Sequence, residues 1–198
     1  MTRGARKPTG CNPWASMIPQ ARILKVVSGG QTGVDRAALD AALAAGLPIG
    51  GWCPRGRRAE DGTIPAIYPL RETPSQDYRE RTRWNVRDSD GTLILTRAEL
   101  SRGTALTWRQ ASRLRRPVFV GDLRENLGDL MRQIDHWAAV HQIRVLNVAG
   151  PRSSQQPLAC NSARTLLAAW WIGGTFIKDV SQDPQTSCEM SVGASGFF

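Results

Sequence analysis

The chain has 198 residues, 41% hydrophobic and 22% charged. This describes an ordinary soluble globular domain and excludes wholesale disorder, a collagen-like repeat and a small disulfide-stapled scaffold. Lys and Arg number 26 against 17 for Asp and Glu, a formal charge of +9, which favours anionic partners: phosphates, nucleotides or nucleic acid.

Residues 1–20 read as a flexible extension, because Pro8, Thr9, Gly10, Asn12, Pro13 and Pro19 are loop chemistry without a period. Pro8, Gly10 and Pro13 also stand where a signal peptide needs an apolar run. Ile23–Val27 is a β-rich run ending in Ser28-Gly29-Gly30, and Val34–Ala45 is an Ala- and Leu-rich helix stopped by Gly46 and Pro48. A weak strand holds Ile49 and Trp52. A basic loop, Cys53–Gly62, then carries Arg55, Arg57 and Arg58, which read as a solvated run or a lid over an anion. Tyr68-Pro69-Leu70 is predicted as a short edge strand. The next helix opens with Thr73 as N-cap, Pro74 at N1 and Gln76 at N3.

Thr92–Thr96 is a buried-type strand, Thr104–Arg115 a helix ended by Pro117, and Val118–Val120 a strand. Leu123–Val140 is an amphipathic helix with Leu127, Leu130, Met131, Ile134 and Trp137 on its core face. Val145–Val148 is the last strand and Leu158–Ile172 the last helix. The longest apolar stretch, Leu166–Ile177, is shorter than the ~20 residues of a membrane span. Residues 179–198 read as a flexible tail, leaving one domain over residues 21–178. Alternating helices and uninterrupted apolar strands predict a doubly wound, Rossmann-like parallel sheet with helices on both faces.

Such sheets bind ligands beyond the carboxyl ends of their strands, where three loops carry glycines and hydroxyls. The first is Ser28–Asp35, with Gly29, Gly30, Gln31, Thr32 and Gly33. It predicts an anion held by the backbone N–H groups of residues 30–33, and Gly30→Val is expected to abolish binding with little loss of fold. Thr32 and Asp35 alternatively form a plain capping box. The second loop offers Ser101, Arg102, Gly103 and Thr104, and the third Gly150, Arg152, Ser153 and Ser154. Tyr78, Arg81, Thr82 and Asn85 share one helix face at i, i+3, i+4 and i+7. From that face Arg81 and Asn85 are expected to contact the polar head of a ligand. His136 and His141 lie together on one helix, away from the loops. The four cysteines are Cys11, Cys53, Cys160 and Cys188, with no C-x-x-C pair. They argue against a zinc module and suit a reducing cytoplasm. No catalytic constellation and no metal site is expected.

Gly29-Gly30-Gln31-Thr32-Gly33-Val34-Asp35-Arg36-Ala37, Gly51-Trp52-Cys53-Pro54, Tyr78…Arg81-Thr82…Asn85-Val86…Ser89-Asp90, Leu100-Ser101…Gly103-Thr104 and Asn147–Arg152 occur in that order. Together they resemble the molybdenum cofactor carrier family, itself similar to the LOG-type nucleotide phosphoribohydrolases. The resemblance implies a cytoplasmic homo-oligomer binding the molybdenum cofactor (molybdopterin) or a nucleotide, with possible molybdoenzyme clients and no turnover. Arg102 departs from that pattern, which has glycine there. Thr107 stands where the LOG-type motif carries its acid. The alternatives are a nucleotide-processing hydrolase of the LOG type and a nucleic-acid-binding protein using Arg55–Arg58 and Arg113–Arg116.

Overall fold

The computed structural model describes residues 21–176, so the two predicted terminal extensions lie outside the described residues. In chain order the elements are β1 (Lys25–Val27), α1 (Val34–Ala44), β2 (Ile49–Gly50), β3 (Trp52–Cys53), β4 (Arg58–Ala59), β5 (Gly62–Thr63), β6 (Arg71–Glu72) and α2 (Tyr78–Arg87). There follow β7 (Gly91–Thr96), α3 (Arg102–Arg113), β8 (Val118–Asp122), α4 (Leu127–Val140), β9 (Val145–Ala149) and α5 (Pro157–Phe176).

Five strands form one parallel sheet in the order β2-β1-β9-β7-β8. The chain builds outward from β1 to β2, crosses to β7 and β8, and returns to insert β9 between β1 and β7. This makes neighbours of the carboxyl ends of β1, β9 and β7, and the loops leaving them share one crevice.

All six residues of β7 are buried, as its unbroken Thr-Leu-Ile-Leu-Thr run requires in a sheet covered on both sides. Leu93 and Leu95 enter the main core with Val26, Leu146 and Val148, against Ala38 and Ala42 of α1, Leu130 and Ile134 of α4 and Leu166 and Leu167 of α5. By the two-residue period of a strand, Thr92, Ile94 and Thr96 face the other way. On that side Asn147 donates to the Thr92 hydroxyl at 3.2 Å.

The connection from α1 to α2 differs from expectation. The predicted weak strand is two, split at Gly51, whose φ is +127° and where a Cβ would lie 2.3 Å from the Ser28 carbonyl. Tyr68–Leu70 is not a strand. Both of those side chains sink into a small core with Leu39, Cys53 and Ile64, and parallel pairing with Trp52–Cys53 falls instead to Arg71–Glu72. Thr73 does not cap a helix, because its hydroxyl donates to the carbonyls of Cys53 (3.3 Å) and Ser75 (2.9 Å). The N-cap of α2 is Asp77, which accepts from Arg79 N.

Two later helices also shift. α3 begins at Arg102, two residues early, with Ser101 as its N-cap, and α4 begins at Leu127, where Asn126 accepts from the N–H groups of Gly128 and Asp129. Arg57 is neither solvated nor a lid. Its guanidinium donates to the carbonyls of Ile64 (3.1 Å), Leu70 (3.0 Å), Pro65 (3.0 Å) and Tyr68 (2.9 Å), stapling the loop to itself.

Candidate functional site

A pocket of about 240 Å³ opens where the three glycine loops meet. Gln31 and Asp35 come from the first loop and α1. Tyr78, Arg81 and Thr82 come from α2, and Ser101, Arg102, Gly103, Leu106 and Thr107 from the start of α3. Ala149, Gly150, Arg152 and Gln155 complete the wall. Of the sequence-predicted residues, the crevice thus collects Gln31, Asp35, Arg81, Ser101, Gly103, Gly150 and Arg152.

Gly29, Gly30, Thr32, Gly33, Asn85 and Thr104 do not line it, and each has another task. Gly29 makes room for Arg81. Gly30 (φ +69°) and Gly33 (φ +83°) hold left-handed backbone, and a Cβ on them would fall 2.5 Å from Leu70 Cδ1 and 2.3 Å from the Pro151 carbonyl respectively. Gly30→Val is therefore a fold mutation, against the expectation from sequence. Asn85 accepts from Trp52 N at 2.7 Å and donates to Trp52 O at 2.9 Å, so its amide holds β3. Thr104 closes the first turn of α3, its N–H donating to Ser101 Oγ at 3.4 Å.

Two of the four N–H groups expected to hold an anion, those of Gln31 and Thr32, are taken within the protein. Gln31 N donates to Asp35 Oδ2 (3.3 Å), Thr32 N to Gln31 Oε1 (3.0 Å) and Val34 N to the Pro151 carbonyl (3.3 Å). Nor do Thr32 and Asp35 form a capping box: the N-cap is Gly33, with no side-chain cap. The Thr32 hydroxyl instead donates to Glu60 at the tip of the β4–β5 hairpin, and Ser154 donates to the same carboxylate through Oγ (2.5 Å) and N (3.3 Å). Asp61 beside it takes a bidentate pair from Arg36 at 2.5 and 2.8 Å, while Arg36 Nε donates to the Gly30 carbonyl at 3.0 Å. The hairpin is thus strapped across the first and third loops.

Positive charge collects on the pocket wall, where Arg81, Arg102 and Arg152 face one buried carboxylate, Asp35. Burial pushes the Asp35 carboxyl above its ordinary range, and Arg81 Nη1, 3.4 Å from Oδ2, works against that shift. The Tyr78 ring contacts two guanidiniums, that of Arg152 at 5.1 Å and that of Arg81 at 5.9 Å from its centroid. Two buried donors on the wall, Gln31 Nε2 and Arg81 Nε, have no acceptor among the described residues. A desolvated donor without a partner costs about 1–3 kcal/mol, and nothing among the described residues supplies an acceptor for these two.

Sequence reasoning placed Tyr78 on one helix face with Arg81 and assigned ligand contacts from that face to Arg81 and Asn85 alone. Nothing local in the sequence pointed to Glu60, whose partners are 28 and 94 residues away. Thr107, at the position of the LOG-type acid, is buried and its hydroxyl donates to the Gly103 carbonyl at 3.2 Å. His136 and His141 do not line the pocket. Cys53 and Cys160 are free thiols, while Cys11 and Cys188 lie outside the described residues.

Residues 26–171 match the family model of the circularly permutated YpsA SLOG family. The chain belongs to that family. It is also similar to a solved structure from Syntrophus aciditrophicus SB titled "putative molybdenum carrier protein", with 44% identity, a TM-score of 0.76, and coverage of 78% of this chain and 98% of that one. No curated protein matches. At that identity and coverage the family resemblance read from the glycine loops, Trp52, Arg81 and Asn147–Arg152 holds, and with it the Rossmann-like fold. Among the described residues of this SLOG protein no helix is long and apolar enough to cross a membrane.

Proposed function

We propose that this SLOG protein binds and carries a small anionic ligand, a phosphate-bearing pterin such as the molybdenum cofactor or else a nucleotide, without turning it over. The observation that carries this reading is the pair of unpartnered buried donors, Gln31 Nε2 and Arg81 Nε, in a pocket walled by three arginines. Donors left bare in a folded protein fit a site completed by its ligand. The anion-binding end falls to the start of α3. There Ser101, Arg102 and Gly103 share the wall with Arg152, and the helix dipole adds positive potential.

The residues fit a phosphate-bearing heterocycle. At about 240 Å³ the cavity is below the ~300–1,000 Å³ usual for whole small-molecule ligands, so it suits one ring system with its phosphate at the rim. Among the described residues no group of three His, Cys, Asp or Glu side chains is placed to hold a metal ion. The molybdenum of such a cargo would keep the ligands it arrives with. A carrier of this kind implies molybdoenzyme clients, and the same reading includes a cytoplasmic homo-oligomer.

Calorimetric titration with a phosphate-bearing pterin and with nucleoside monophosphates tests the proposal. Binding that weakens roughly ten- to a hundred-fold in Arg81→Ala supports it, from the ~1.5–3 kcal/mol of a charge-assisted hydrogen bond. No binding by the wild-type protein rejects it. A shallow salt dependence is expected for one phosphate, and a steep one would favour nucleic acid. Thr107 in place of a carboxylate speaks for binding over N-glycoside hydrolysis. Adenine released from adenosine monophosphate would reverse that preference.

A further inference from the structure

We propose that Gln31 makes the pocket selective for a lactam heterocycle, one presenting a ring carbonyl beside ring N–H groups, over an amino-substituted ring such as adenine. This rests on the pocket reading above. The orientation of the Gln31 amide is set by the protein. Its Oε1 accepts from two backbone N–H groups, Thr32 at 3.0 Å and Glu60 at 2.9 Å. A flipped amide would oppose donor to donor, so the NH₂ group must occupy the other position, where it has no partner among the described residues. Gln31 is 3% exposed and lines the pocket. It therefore presents a fixed donor that only an acceptor satisfies.

The neighbouring group supplies the complement. Asp35, also 3% exposed, lines the same pocket and is tied to Gln31 through the Gln31 N–H to its Oδ2 at 3.3 Å. Asp35 and Arg81 pair with each other at 3.4 Å, so this end leaves no uncompensated cation for a phosphate, whereas Arg102 is exposed and Arg152 half-buried, nearer the rim. The polarity of the pocket thus orients the ligand, neutral ring inward and anion outward. A neutral amide donor beside a carboxylate matches a carbonyl beside ring N–H groups. A 2-amino lactam offers the carboxylate two donors, while adenine offers one.

The test compares guanosine and adenosine monophosphates, which share ribose and phosphate, by calorimetry on the full chain. The wild-type protein should bind the guanosine compound at least tenfold more tightly. Gln31→Glu keeps an oxygen for the Thr32 and Glu60 N–H groups but replaces the donor with an acceptor, so the preference should vanish or reverse. Its added charge acts on a phosphate common to both probes and cancels in the ratio. Gln31→Met removes the donor without burying a charge, should bring the ratio towards one, and covers the case in which the glutamate variant fails to fold. Equal wild-type affinities, or a wild-type ratio preserved in the folded variants, would overturn the assignment while leaving the pocket reading intact. If the wild-type protein binds neither nucleotide but binds a phosphate-bearing pterin, the assignment falls and the pocket reading stands; if it binds none of the three, both fall.

Discussion

The Arg81 guanidinium lies in the space that a side chain on Gly29 would occupy. A Cβ there would stand 1.8 Å from Arg81 Nη1 and 2.4 Å from Cζ. The glycine is needed for this approach, since its φ is not in the left-handed region. The obstructing atom is the far end of a long side chain, so Gly29→Ala should expel Arg81 from the pocket without unfolding the loop. The expected result is a loss of ligand affinity close to that of Arg81→Ala, with both variants melting well above Gly33→Ala, whose Cβ meets the backbone of Pro151. Titration and melting curves on the three variants check this.

Arg57 should prove a stability residue. Its guanidinium joins four carbonyls across Ile64–Leu70, and hydrogen bonds from a charged donor contribute about 1.5–3 kcal/mol each before the loop's partial exposure is discounted. Arg57→Met should cost roughly 2–4 kcal/mol, and Arg57→Lys should recover only part, because an ammonium lacks the planar fork. Urea midpoints measure both.

Tyr68 should ionise anomalously. Its phenol is pushed up to about 12 by burial and by its 2.6 Å hydrogen bond to Asp40. A folded value above the ordinary one means the stabilisation is complete below about pH 10 and is lost as pH rises through about 12. Absorbance titration of the phenolate should show this transition, and Asp40→Asn should lower it without abolishing the contribution of burial.

The hairpin strap should respond to acid. Burial opposes ionisation of Glu60, but hydrogen bonds from Ser154 and Thr32 outweigh it and hold the carboxyl below its ordinary range. The Asp61 carboxyl is lowered first by its hydrogen bonds from Arg36. Their contribution is therefore present above the ordinary carboxylate range and fades as pH falls through the lowered values. Both side chains are exposed, so the effect should be local. Amide exchange at Gly62 and Thr63, corrected for intrinsic pH dependence, should lose protection as pH falls below the ordinary carboxylate range while the β7 amides keep theirs.

The architecture was legible where the information is local. The unbroken run Thr92–Thr96, the Ala-rich periodicity of Val34–Ala44 and the glycines that follow β1 and β9 each report a short-range preference. These suffice for a parallel sheet with three loops at its carboxyl edge. Capping was less legible, because Thr73 and Asp77 are both competent caps. The choice fell to Asp77 once β3–β6 pairing brought the Cys53 carbonyl within reach of the Thr73 hydroxyl.

What only the tertiary structure decided is which polar groups are already satisfied. The N–H groups of Gln31, Thr32 and Val34 resemble part of an open anion cradle until Asp35, Gln31 and Pro151 are seen to accept from them. Asn85 resembles a ligand contact until Trp52, 33 residues earlier, takes both ends of its amide. The partners of Glu60 lie in two loops that meet only because β9 inserts beside β1. A residue's capacity to hydrogen-bond is written in its side chain. Whether that capacity is left over depends on partners brought in from distant parts of the chain, and among the described residues Gln31 Nε2 and Arg81 Nε are buried side-chain donors that find none.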